Sequence, residues 1–258
     1  MSERGRLAML LAALLLLAPV AWQVALALPA FGFPTSAYGQ TINALVPHMR
    51  RVSNMVAAVN FDVRGFDTIG EELMLLAATT GATVLLRGSR GENIGDRAAR
   101  LPGRHLAGRA DGTVLVCRAA AILLMLFGVY VVLHGTVTPG GGFQGGVIVA
   151  SSLLLVYLGE GYPAWRRIAR APVLALVEGL GAFAFVVAAA VPLAWGRPAL
   201  SNILPLGTWK DLFSGGTMVV VNAAVGFAVA GSFGLILGEF MEETRGPEDE
   251  DMPDEEHR

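Results

Sequence analysis

Cysteine is almost missing from this sequence. The single thiol, Cys117, excludes an intrachain disulfide and any cysteine-rich metal cluster. Standing where an apolar run begins, it is expected to act as a small buried apolar residue. Charge is scarce too, at 16% of the 258 residues against about 25% in ordinary soluble domains. Of the 21 acidic residues, 10 lie at or after Glu239, so the chain ahead of that point has little charged surface. No lysine follows the glycine run, so no phosphate loop of the Gly-Lys-Ser/Thr kind is present. No histidines, cysteines and carboxylates stand at metal-ligand spacing, and no Ser-His-Asp arrangement is suggested. These absences point away from a metal, a cofactor, nucleic-acid binding and catalysis by the chain alone.

What is present is apolar sequence, 54% of the chain. It falls into six runs, at 7–28, 69–86, 114–133, 142–158, 173–195 and 215–237, and about 20 apolar residues suffice to cross a bilayer. Strands of a membrane barrel would alternate apolar and polar positions. These runs are apolar on all sides, so the expected fold class is all-α, a polytopic membrane protein of about six transmembrane helices. The first run follows Arg4 and Arg6 and ends near "ALALPA", where Ala25 and Ala27 would suit a signal peptidase. Its length favours a retained helix.

Basic residues then set an orientation. Arg87, Arg90, Arg97, Arg100, Arg104 and Arg109 lie between runs two and three, and Arg166, Arg167 and Arg170 between runs four and five. With both segments and both termini cytoplasmic, and Arg118 added, 14 of the 19 Lys and Arg fall inside, leaving Arg50, Arg51, Arg64, Arg197 and Lys210 outside. That asymmetry follows the positive-inside rule. The expected organisation is a two-helix module (1–87), an Arg-rich cytoplasmic linker (88–112), a four-helix domain (113–242) and an acidic disordered tail (243–258).

Two polar motifs interrupt the apolar pattern. The first is "HGTVTPGGGFQGG", His134–Gly146. Pro139 and Gly140 suit a tight turn. Gly141, Gly142, Gly145 and Gly146 recur at helical spacing, where small residues let another helix approach closely. Phe143 and Gln144 complete the run, and close approach would bring Gln144 and His134 together at the outer face. A lone histidine at that place is more often a hydrogen-bonded structural residue than a proton carrier. The second motif is "NFDVRGFDTIGEELMLL", Asn60–Leu76. Asp67 and Glu71 lie one turn apart, on one helix face. Ionisable groups entering a bilayer usually face the protein interior and mark ion routes. The alternative is a solvated cap, with Asp67 or Thr68 at the helix start and acidic residues favoured by the dipole. That alternative suits Glu72. Glu178, among "VLALV" and "GLGAF", must pair, protonate or meet water within its span. Glu160 and Glu239 stand at span ends, where an interfacial place is expected.

Together the motifs resemble known proteins. "LHGTVTPGGGFQGGVIVASSLLL" is similar to the signature of the B subunit of Mrp-type multisubunit Na+/H+ antiporters, the MnhB family, over residues 113–242. A second histidine of that pattern is replaced here by Thr136. Asp62 through Glu71 fit Asp-x-Arg-Gly-Phe-Asp-Thr-x-Gly-Glu. This resembles the C-terminal region of the large A-type component of those antiporters, a module also found as a small membrane subunit of membrane-bound hydrogenases. The resemblance implies a fusion of the two, with the linker at the junction, and implicates Glu71 in cation or proton transfer. The ion-path candidates are therefore Glu71, Asp67, Glu178 and His134. The implied role is a bacterial cell-membrane subunit of a Na+/H+ antiporter, beside large A-like and D-like proton-translocating subunits and a small C-like one. The alternatives are a membrane subunit of a complex-I-related hydrogenase or other redox-driven pump, and a scaffold whose carboxylates are only caps.

Overall fold

The computed structural model describes residues 3–28, 36–92 and 110–243. The expected acidic tail, apart from Glu243, and most of the Arg-rich linker lie outside the described residues. Among those described the protein is helical without strands, and six helices are long and apolar enough to span a membrane: Met9–Ala27, Gly65–Leu86, Asp111–Leu133, Gly142–Glu160, Ala171–Ala194 and Thr217–Met241. They coincide with the six apolar runs to within a few residues.

The chain divides into two compact units, Met1–Ala44 and the residues from Leu45 onward. In the first, α1 (Glu3–Ala27) is apolar on all sides and its side chains from Met9 onward are exposed. The Ser36 hydroxyl accepts from the Gly39 N–H at 3.1 Å where α2 (Ala37–Arg50) begins. No helix is expected there from hydropathy, because its 14 residues mix polar and apolar positions.

The second unit starts with the last turn of α2. Asn54 caps α3 (Met55–Ala58) by accepting from the Val56 N–H at 3.1 Å. A π-helical turn, Val59–Val63, joins α3 to α4 (Gly65–Glu92). Such widened turns recur at functional sites. The Thr68 hydroxyl braces this one by donating to the Asn60 carbonyl at 2.7 Å, so Thr68 sits within the first turn of α4 and not at its cap. An antiparallel hairpin follows, α5 (Asp111–Leu133) and α6 (Gly142–Glu160). Then come the short α7 (Tyr162–Ile168), α8 (Ala171–Ala194) and α9 (Thr217–Glu243).

α9 is the axis of this unit. It packs on α4, α5, α6 and α8, and 61% of its span is buried against at most 33% for the others. Val225 and Val229 of α9 meet Phe185 of α8, with Val52, Ala57, Ala58 and Phe61 closing the same core. A smaller core under α7 joins Trp165 to Leu174, Leu235 and Met241. Cys117, half-buried on α5, faces Gly159 of α6, as a small apolar residue would. Large exposed apolar side chains such as Leu123, Leu126, Leu180, Phe183 and Phe227 suit the surrounding hydrocarbon.

Candidate functional site: a glycine turn held by two asparagines, and a buried carboxylate pair

The turn between α5 and α6 leaves helix ends whose backbone groups at Gly135, Thr136, Gly141 and Gly142 are buried, so they must be met by the protein itself. Two asparagines meet them. The Asn54 side-chain amide donates to the carbonyls of Gly135 (2.7 Å), Thr138 (2.9 Å) and Gly140 (3.1 Å). Its backbone N–H donates to Thr136 O at 3.1 Å, and the neighbouring Ser53 hydroxyl to Val137 O at 2.6 Å. From the other side, Asn222 of α9 accepts from the Gly142 N–H at 2.7 Å and donates to the Val132 carbonyl at 2.5 Å. Gly141 precedes α6 and has no side chain to cap it, so the cap is delivered from another helix.

This explains the glycines. Gly140 (φ 128°) and Gly141 (φ 153°) occupy backbone conformations closed to other residues. Gly145 packs against the backbone of Gly128 and Val132 on α5, and Gly146 against Gly226 and Val229 on α9. The helices that the small residues admit thus belong to the same chain. Pro139 is exposed at the tip and Phe143 packs against the core. No hydrogen bond joins His134 to Gln144. The His134 ring stacks on Tyr130 (3.9 Å between centroids), with Nδ1 3.0 Å from the Tyr130 carbonyl, while Gln144 is exposed. Thr136 is buried, and its hydroxyl oxygen lacks a hydrogen-bond partner.

The second motif splits along its helix. Asp62, in the π turn, accepts from Arg50 Nε at 2.7 Å. Asp67 pairs with Arg64 at 2.5 Å. Asp67 and Glu71 share an exposed face of α4. Glu72, one position on, turns inward and is 5% exposed, with Oε1 buried and without a hydrogen-bond partner. Glu178 of α8 is 7% exposed and accepts from the Ser232 hydroxyl of α9 at 2.6 Å. Neither Glu72 nor Glu178 is in an ion pair among the described residues. Glu160, by contrast, is paired at its span end with Arg118 at 2.8 Å, and Glu239, also at a span end, is buried within the protein.

Sequence reasoning left out Asn54, Asn222 and the inward turn of Glu72. The first two left a signal: "SN" ahead of an apolar run is a helix start, and Asn222 is a polar residue within a span.

Comparison with known proteins settles the family. The family model for a "Domain related to MnhB subunit of Na+/H+ antiporter" matches residues 113–235. The Staphylococcus aureus protein named as antiporter subunit mnhB2 is 31% identical over 97 residues, 35% of this chain and 67% of that one. The chain belongs to the MnhB family. The matched residues run from α5 into α9 and include the glycine turn and Glu178. An uncharacterized protein of Methanocaldococcus jannaschii is 28% identical over 198 residues, 69% of this chain and 73% of that protein. Among solved structures, a chain of the archaeal membrane-bound sulfane sulfur reductase, a respiratory membrane complex, is similar at TM-score 0.71 and 27% identity, covering 91% of this chain and 98% of that one. A chain of the Mrp complex from a Dietzia species matches in fold at TM-score 0.71 and 23% identity, covering 98% of this chain but 27% of its own length.

Proposed function

We propose that this chain is a membrane subunit of a multisubunit Na+/H+ antiporter, lining part of its cation path and catalysing nothing by itself. The observation that carries this reading is the MnhB domain packed through α9 on α4, whose exposed face bears Asp67 and Glu71. The further partners are A-like and D-like proton-translocating subunits and a small C-like subunit, in the cell membrane. In the same reading, residues 1–87 are a module like the C-terminal region of the large A-type component, joined by the linker 88–112 to the domain 113–242. An exposed carboxylate on a spanning helix needs water or a neighbouring protein, so a partner protein is placed against the Glu71 face. Glu71→Gln keeps the shape and removes the charge. In vesicles with matched complex content it should lower Na+/H+ exchange steeply; unchanged exchange would remove Glu71 from the path.

Both termini are placed in the cytoplasm and the glycine turn outside, supported by the 14-to-5 division of basic residues. Single cysteines at Ser89 and Thr138, in a Cys117→Ser background, are expected to separate. An impermeant thiol reagent should label position 138 of intact cells but not position 89. Labelling of position 89 from outside would reverse the orientation.

The likeness to the sulfane sulfur reductase chain, nearly end to end, supports a second reading, a membrane subunit of a redox-driven ion pump. Purification of the intact complex distinguishes the two. Antiporter components alone fit the first, and co-purifying iron–sulfur proteins fit the second.

A further inference from the structure

We propose that Glu72 and Glu178, with the Ser232 hydroxyl, form a monovalent-cation site inside the packing of α4, α8 and α9. It takes one positive charge at a time, a proton or a sodium ion. The inference rests on the antiporter reading and adds to it an interior step, separate from the exposed Glu71 face.

The placement follows from the helix register. The Leu200 N–H donates to the Ala189 carbonyl at 3.0 Å, and Gly65 packs on the Leu200 side chain, so α4 starts level with Ala189 of α8. At about 1.5 Å per residue, Glu72 lies about 10 Å and Glu178 about 16 Å below that level. The backbone positions of the two residues are therefore about 6 Å apart in depth. Gly231 of α9 abuts the backbone of Glu178, which brings the next residue, Ser232, within hydrogen-bond reach.

A buried carboxylate that is ionised and unpaired is strongly disfavoured, because it has lost its water without gaining a partner. One hydroxyl donor from Ser232 is all the described structure supplies to this pair, and Glu72 Oε1 receives nothing. The other described charged side chains on and beside the three helices do not supply the missing charge. Glu71, the neighbouring residue on α4, has the same sign and faces outward. Asp67 is held by Arg64, and Asp62, in the turn ahead of α4, by Arg50. Glu239 lies about 10 Å further along α9 than Ser232. A single cation between two carboxylates and a hydroxyl offsets the burial. A proton and a sodium ion are alternative ways of supplying that charge, so each displaces the other.

The test uses the whole complex in vesicles, comparing Glu72→Gln, Glu178→Gln, the double variant and Ser232→Ala at matched complex content. Each single Gln variant should lower exchange at least about tenfold. The double variant should be no worse than the singles within about twofold, as for residues that act as one unit. Wild-type exchange in both single variants overturns the site. A second readout is independent of transport. A hydrophobic carbodiimide, followed by mass spectrometry, should modify Glu72 or Glu178. Protection by sodium identifies sodium as the occupant, and protection by raised pH alone identifies the proton; both support the site. Absence of modification at both positions at low pH, without sodium, overturns it. If the wild-type complex exchanges no sodium for protons, the antiporter reading falls, and the labelling still decides the site.

Discussion

Asn222→Ala should remove most of the assembled complex from the membrane and lower the thermal midpoint of what remains. The alanine leaves the Gly142 N–H without the acceptor that caps α6, at a buried position where water cannot substitute. The Val132 carbonyl keeps the Gly135 N–H at 3.2 Å but loses its second donor. An orphaned buried donor costs about 1–3 kcal/mol, and the cavity left by the missing amide adds to that. Against a net stability of roughly 5–15 kcal/mol this is a large fraction. The damage also falls where α5, α6 and α9 meet. Complex yield and melting in detergent are the measurements; wild-type values for both would show that the α6 cap is dispensable.

Gly145→Leu should be at least as severe. Even a Cβ there would stand 2.7 Å from the Gly128 carbonyl oxygen and 2.9 Å from the Val132 nitrogen. Both are backbone atoms of α5 and cannot rotate aside, so the hairpin must open. Overpacking a tight contact costs about 1–3 kcal/mol and sometimes more, and a rigid neighbour puts this case at the upper end. The chain's own fold should fail before its association with other subunits does. The matched control is Gly179→Ala on α8, where a Cβ meets nothing within 4 Å. In a helix alanine is favoured over glycine by about 1 kcal/mol, so that variant should be as stable as wild type or more so. Equal yields of the Gly145→Leu and Gly179→Ala proteins would refute close packing at the α5–α6 seam.

Much of this architecture is local and could be read along the chain. The six spans follow from run length and uniform apolarity, which belong to each segment by itself. Pro139 and Gly140 announce a turn, because proline fixes φ and glycine tolerates strained backbone. The elements that escaped reading are short or mixed: α2, α3, the π turn and α7. Their stability comes from capping and docking, such as the burial of Trp165 under α9, and not from a periodic apolar face.

The sequence by itself determined a helical, six-span membrane protein, its glycine turn, and the carboxylates that enter its spans. Tertiary structure alone decided which helices the glycines touch, that Asn54 and Asn222 hold the turn from two sides, and that α4 turns Glu72 inward and Glu71 outward. The reason lies in the solvent. In water, the polar face of a helix marks its outside, so amphipathic periodicity reveals rotation. In hydrocarbon, the lipid-facing and protein-facing sides are equally apolar. The residues after Glu72, "LMLLAATT", therefore carry no mark of which face α9 covers. The phase of α4 is set elsewhere, where Phe61 and Val52 lock its leading turn into the core beside α9.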